Sequence, residues 1–320
     1  MTPLVSIIIP VYNGSNYLKQ AIDSALNQTY KYIEILVIND GSNDGGLTEE
    51  IARSYGDKIR YHCKPNGGVA TALNTGINLA AGDYISWLSH DDLYLPHKIE
   101  RQISTIASIG GSDVISYSNY ETIDAKNNVL RTVRLETSEI YDCKLAFLLQ
   151  LFISSIHGCS LLIPRKCFTE VGYFKESLRT TQDYDLWFRL LQKGFAFTHL
   201  PEILIQSRFH NEQGTHSLYA VHLKEAEQLY LRAVNTFYDD FEKLPIKKIV
   251  DLVIDLRERK LKQTANHVLK SIKQRNMRLY MQMYGEYYKP LIASWLMFHV
   301  SRLTQLAKVI LSILKRKGRA

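Results

Sequence analysis

The 320-residue sequence has no Cys-x-x-Cys pair, and its four cysteines, at 63, 143, 159 and 167, show no metal-ligand spacing. That excludes a zinc-stapled module and points to free thiols in a reducing, cytoplasmic setting instead of disulfides. No uninterrupted apolar stretch approaches the ~20 residues that cross a bilayer. The opening, MTPLVSIIIPVYNG, has no basic segment before its apolar run and no small-residue cleavage site. It therefore reads as a first strand and not as a secretory signal. No G-x-G-x-x-G follows that strand, and no G-x-x-x-x-G-K-[ST] occurs anywhere. Dinucleotide-dependent hydride transfer and P-loop chemistry are both disfavoured. Internal repeats and low-complexity tracts are absent as well.

Charge of one sign is scarce at the front and abundant at the back. Residues 218–320 hold 20 Lys and Arg against 9 Asp and Glu, a net of +11, whereas residues 1–217 hold 19 against 23, a net of −4. The asymmetry suggests two parts, 1–217 and a basic region 218–320. No nucleic-acid recognition motif accompanies the basic excess, so nucleic acid is not the expected partner.

What is present is an alternation of strand and helix. PLVSIIIPVY, IEILVIND, KIRYHCK and DYISWLS read as strands. SNYLKQAIDSALNQ, LTEEIARSYG, GVATALNTGINLA and PHKIERQISTIAS read as helices between and after them. Such repetition implies an α/β fold with a parallel sheet covered on both faces. After residue 113 the pattern loosens. DVISYSNYETID and NVLRTVRLE flank AKNN as a hairpin, and GCSLLIP and FAFTHLPEILIQSRFH read as strands around the helix of DYDLWFRLLQK. From Ser217 onward the pattern is helical.

In open parallel sheets, ligands bind beyond the carboxyl ends of the strands. Tyr12 and Asn13 leave the first strand, Asp40 leaves the second, and Asp91 and Asp92 leave the fourth, so all fall on one rim. Asn, Asp and Gly also favour turns on backbone grounds alone. Two adjacent carboxylates at a strand end call for solvation or a cation, and oxygen donors suit hard ions such as magnesium and manganese.

The segment from Pro3 to Gly46 resembles the opening of the family 2 glycosyltransferases, inverting enzymes of the GT-A fold. NGGVATALNTGI, AAGDYISWLSHDDLYLPHKIERQI, TTQDYDLWFRLLQKG and SRFHNEQGTHS then follow in family order. The resemblance covers roughly residues 4–217 and leaves the basic helical tail outside. It implies a nucleotide-sugar donor, with UDP-sugar the leading guess, and a saccharide or lipid-linked acceptor, in bacterial surface-polysaccharide assembly. Carried over by position, Pro10, Val11, Tyr12 and Asn13 would cradle base and ribose, and Asp40 would bond the base. Asp91 would lie near the ribose, and Asp92 would coordinate Mg2+ or Mn2+ at the diphosphate, with His210 beside it. Asn74 joins the donor contacts, while Leu73 stands where the family often has arginine. Asp183 matches the catalytic base, and Gln182 replaces the usual glutamate before it.

An Asp ahead of an apolar helical stretch is often only an N-cap. Thr181 offers a cap, however, and Asp185 is equally placed to favour the positive helix end. The membrane spans and the Gln-x-x-Arg-Trp element of processive synthases are absent, so the transfer is expected to be non-processive. A nucleotidyltransferase would carry a Gly-rich basic loop after the first strand, where this chain has VYNGSNYL. A catalytically inactive sugar-nucleotide-binding scaffold is the other alternative, and Gln182 is the one feature in its favour. In the tail, Leu291, Trp295, Phe298, Leu306, Val309, Ile310 and Ile313 recur at near-helical spacing ahead of basic residues. Two readings stand: a helix packed on the catalytic domain or on a second subunit, or one lying peripherally on the inner face of an anionic membrane.

Overall fold

The structure, a computed structural model, describes residues 2–111, 113–135, 143–153, 156–210, 218–283 and 285. The apolar tail stretch 291–313 lies outside the described residues. Among the described residues, no helix is long and apolar enough to cross a membrane. The chain divides into two compact units, 1–236 and 237–320.

The first unit opens with β1 (Val5–Val11), α1 (Leu18–Leu26), β2 (Ile33–Asn39), α2 (Leu47–Arg53), β3 (Arg60–Cys63), α3 (Val69–Leu79) and β4 (Tyr84–Trp87). Every residue of β1 is buried, which its unbroken VSIIIPV run requires of a strand covered on both faces. Burying each such Val or Ile contributes about 1.5–3 kcal/mol relative to leaving it in water. The sheet runs in the order β3-β2-β1-β4-β8, with β8 (Ile163–Pro164) antiparallel to β4 and the others parallel. Strand order reverses direction at β1, since β2 lies on one side of it and β4 on the other. This is the switch point at which crossovers part and leave a crevice beyond the strand ends.

A second sheet, not foreseen from the periodicity, has the order β5-β9-β6-β7. It comprises β5 (Leu93–Tyr94), β6 (Val114–Ile123), β7 (Val129–Val133) and β9 (Ala196–Arg208). β6 and β7 form the expected hairpin. Its turn is closed by Asp124, whose Oδ1 accepts the N–H groups of Lys126 and Asn128 at 2.8 and 2.9 Å. The thirteen-residue β9 runs parallel to β6 and antiparallel to β5, and its last residues end at the rim of the first sheet. α4 (Lys98–Ile109), α5 (Cys143–Ile153), α6 (Arg165–Val171), α7 (Gln182–Lys193) and α8 (Tyr219–Thr236) complete the unit. The described residues of the second unit are helical, with helices Ile246–Glu258 and Lys262–Arg275 packed on each other.

Between β4 and β8, Gly158 passes so close to Trp87 that an added Cβ would lie 1.9 Å from its Cζ2. Gly158→Ala is expected to cost at least the ~1–3 kcal/mol of an overpacked core, read as a fall in melting temperature. A melting temperature equal to wild type would show that the Trp87 ring is not fixed there.

Candidate active site

The crevice at the switch point is a cleft of about 860 Å³. Its walls include Pro10, Val11 and Tyr12 at the end of β1, Asp40 after β2, Ser89 to Asp92 after β4, His157, Ser207 near the end of β9, and Arg179, Thr180, Gln182 and Asp183 around the start of α7. Asp92 and Asp183, 91 positions apart, thus face one space.

The β1 end is shaped by backbone geometry. Asn13 adopts φ 51°, a left-handed conformation that Asn tolerates. An added Cβ on Gly14 would lie 2.5 Å from the His90 ring, so only glycine lets the two strand ends approach. Asn13 does not line the cleft. It ties the rim together, donating from Nδ2 to Asn43 Oδ1 at 2.7 Å and accepting the Asn43 N–H at 2.8 Å. Asp40 lines the cleft, but its carboxylate is already engaged. It accepts Lys64 Nζ at 2.5 Å, the Gly68 N–H at 2.7 Å and the Gly67 N–H at 3.1 Å. It therefore holds the NGG turn that opens α3. Asn74 is turned away from the cleft, where Nδ2 donates to the Phe174 carbonyl and to Glu176, and Oδ1 accepts the Phe174 N–H. Its amide braces the approach to α7.

Asp91 and Asp92 part company despite adjacency. Asp91 Oδ2 pairs with His210 Nε2 at 2.9 Å. Burial opposes its charge, yet His90 and His210 outweigh burial and hold its carboxyl below the usual range. Asp92 is buried, and burial with Asp91 alongside holds it well above that range. Its Oδ1 accepts the Arg208 N–H at 2.9 Å, while Oδ2 lies 3.4 Å from Cys159 Sγ and 3.5 Å from His157 Nε2. Among the described residues, Asp92, His157 and Cys159 form the group whose ligand atoms, all within 4.8 Å of one another, could share one ion. That donor set fits a divalent cation. His210 is not in it, because its Nε2 faces Asp91. Arg208 is buried in a fixed position, with its guanidinium donating to the Asp91 and Asp124 carbonyls and to Gln20 and lying 4.3 Å over the Tyr17 ring.

Asp183 is the second residue of α7, so it is not the N-cap, which is Thr181. Its Oδ1 accepts the Tyr184 N–H at 2.9 Å, and burial raises the carboxyl to about 6. Asp185, two residues on, is a structural group, buried and paired with Lys175 at 2.7 Å and Arg189 at 2.8 Å. Glu225 of α8 fixes the loop before α7, accepting the N–H groups of Arg179 and Thr180 at 2.8 and 3.0 Å. The hydroxyl of Tyr184 accepts the Ile156 N–H at 3.2 Å and so joins α7 to the segment carrying His157. His157, Cys159, Arg179 and Glu225 were not singled out from the sequence. A lone His or Cys beside a glycine carries no spacing signal, and only the tertiary fold brings them to the rim.

The fold and this rim define a GT-A glycosyltransferase: an open parallel sheet with carboxylates gathered at its switch point. The family model described as "Glycosyl transferase family 2" matches residues 6–172, and the chain belongs to that family. A protein of Rickettsia felis described as an uncharacterized glycosyltransferase is 56% identical over 214 residues. The match covers 67% of this chain and 35% of that protein, so the chain spans about a third of its relative's length. Among solved structures, TarS 1–349 of S. aureus in complex with UDP-GlcNAc aligns with a TM-score of 0.62 at 16% identity, over 88% of this chain and 80% of that one. The mannosyltransferase PcManGT from Pyrobaculum calidifontis, in complex with GDP-Man and Mn2+, aligns with a TM-score of 0.57 at 16% identity, over 86% and 76%. Likeness at this identity shows the fold.

Proposed function

We propose that the chain transfers a sugar, with inversion, from a nucleotide-sugar donor to a hydroxyl of a saccharide or lipid-linked acceptor. UDP-sugar is the leading donor, as the UDP-GlcNAc complex of TarS suggests. The observation that carries the reading is the shared cleft of Asp92 and Asp183, with the Asp183 carboxyl raised towards neutrality. Asp183 accepts the proton of the attacking hydroxyl, which needs a base whose pKa lies near the working pH. The hydroxyl oxygen bonds to the anomeric carbon as the bond to the nucleoside diphosphate breaks on the opposite face. An α-linked donor therefore gives a β-glycoside. A divalent cation held at Asp92 would supply positive charge against the leaving diphosphate. Tyr12, Asp91 and the Pro10–Val11 backbone shape the donor side, Arg179 adds a guanidinium, and walls on several sides hold the reactants in line.

Release of free nucleoside diphosphate, assayed across a panel of nucleotide sugars with mono- and disaccharide acceptors, tests the reading. No release from any donor, by protein that still binds UDP, would favour the non-catalytic scaffold. The pH profile is a second check. A base must be unprotonated, so kcat/KM is expected to be level above about pH 6 and to fall about tenfold per unit below it. A profile that stays level down to about pH 5 would remove Asp183 from the base role.

A further inference from the structure

The second unit changes sign along its length. Residues 237–258 hold four Lys and Arg against six Asp and Glu, whereas residues 259–283 hold seven Lys and Arg and no Asp or Glu. A merely solvated helix face mixes the two signs, as Asp255 and Arg259 do in their 3.4 Å ion pair. The helix Lys262–Arg275 does not. Thr264, Ala265, Val268, Ser271 and Ile272 are its buried face. At about 100° per residue, Lys262, Lys270 and Lys273 fall within about 80° of one another on the opposite side. All three are exposed. Among the described residues none of the three, nor Arg278, has an ion-pair partner. Lys273, at the end of this stripe, lies 5.5 Å over the Tyr280 ring of the next helix, Met277–Met283. On that helix Met277 and Met281, one turn apart, are 52% and 59% exposed. The sequence keeps the same character further on, where residues 284–320 carry seven Lys and Arg against Glu286 alone, around the apolar positions 291–313.

We infer that these two helices present a docking surface for an anionic lipid bilayer. Lys262, Lys270, Lys273 and Arg278 face the lipid phosphates, and Met277 and Met281 enter the boundary between headgroups and acyl chains. Cations beside exposed apolar groups are the makeup of a surface that lies on a bilayer without crossing it. A nucleic acid would answer the cations but give the methionines nothing apolar to enter. A neutral bilayer would answer the methionines alone. Each cation near an anionic surface strengthens attachment about fivefold, so four of them give reversible attachment that weakens with salt. The inference rests on the second unit and stands apart from the sugar-transfer reading.

The test floats the full chain with vesicles of phosphatidylcholine and phosphatidylglycerol in a two-to-one ratio, and with vesicles of phosphatidylcholine alone. The chain is expected to float with the mixed vesicles at about 0.1 M salt, to come off at about 1 M as charges are screened, and to stay behind with the neutral ones. Replacing Lys262, Lys270 and Lys273 together by Glu should weaken partition by at least ~100-fold. The three positions are exposed, so the melting temperature should hold, and the matching Gln triple variant serves if the Glu variant does not fold. Met277→Ser with Met281→Ser should weaken partition by about tenfold, which loss of a purely electrostatic partner would not show. No flotation, equal flotation with both vesicles, or a triple variant that partitions like wild type overturns the surface. Binding to duplex DNA or single-stranded RNA at about 0.15 M salt without flotation assigns the cations to nucleic acid and overturns it too. A chain that transfers sugar but never floats loses only this inference. One that floats but releases no nucleotide from any donor loses only the sugar-transfer reading.

Discussion

Asp183→Asn is expected to lower sugar transfer by about 10²–10⁴-fold, the span that a positioned general base contributes. UDP binding should change little. The amide keeps the shape of the carboxylate and can still accept the Tyr184 N–H at the start of α7. It cannot take a proton from an attacking hydroxyl. The expected signature is a fall in kcat with KM for the donor nearly unchanged, because the lost interaction belongs to the transition state. Asp185→Asn provides the contrast. It weakens ion pairs to Lys175 and Arg189, so its effect should appear in melting temperature before it appears in kcat. Transfer by Asp183→Asn within a few fold of wild type would remove this residue from the chemistry.

Asp92→Asn is expected to show the second large effect, on binding. Removing the one carboxylate of the ion-binding group should weaken metal-dependent UDP binding by at least ~100-fold, beyond what loss of an outer-shell partner costs. Calorimetric titration with UDP in the presence and absence of Mn2+ measures it, and identical isotherms for variant and wild type would end the metal role of Asp92. The fold should survive. The asparagine Oδ1 can keep the Arg208 N–H, and the cost of holding a buried carboxyl neutral beside Asp91 is gone. A carboxyl whose pKa is raised by folding lowers stability as pH climbs above its unfolded value, so the variant's melting temperature at neutral pH should not drop. A loss of metal-dependent binding without a loss of stability separates an ion ligand from a packing residue.

Strand–helix alternation places β1 to β4 and the helices among them within a few residues of where they lie. The signal is local: apolar runs such as VSIIIPV must be covered on both faces. The rim was legible for the same reason, since residues that end parallel strands share one edge whatever their neighbours. α5 was missed because LAFLLQLFI is apolar almost throughout and shows no contrast of period. The second sheet was missed because β5 has two residues and is recruited by pairing with β9. Position in a motif also says little about what a side chain meets. Asp40 and Asn74 both sit where donor contacts are expected, yet one carboxylate holds the NGG turn and one amide braces the segment at Phe174.

Residue order alone determined the parallel sheet, its carboxylate rim and the start of α7 as separate pieces, because each depends on patterning within a few neighbouring positions. Only the tertiary structure decided that the Asp92 and Asp183 side chains face one space. It also decided that burial raises the Asp183 carboxyl, and that a thiol and an imidazole from the segment before β8 stand against Asp92. Desolvation and ligand spacing are properties of what surrounds an atom, and those surroundings come from chain segments tens of residues away.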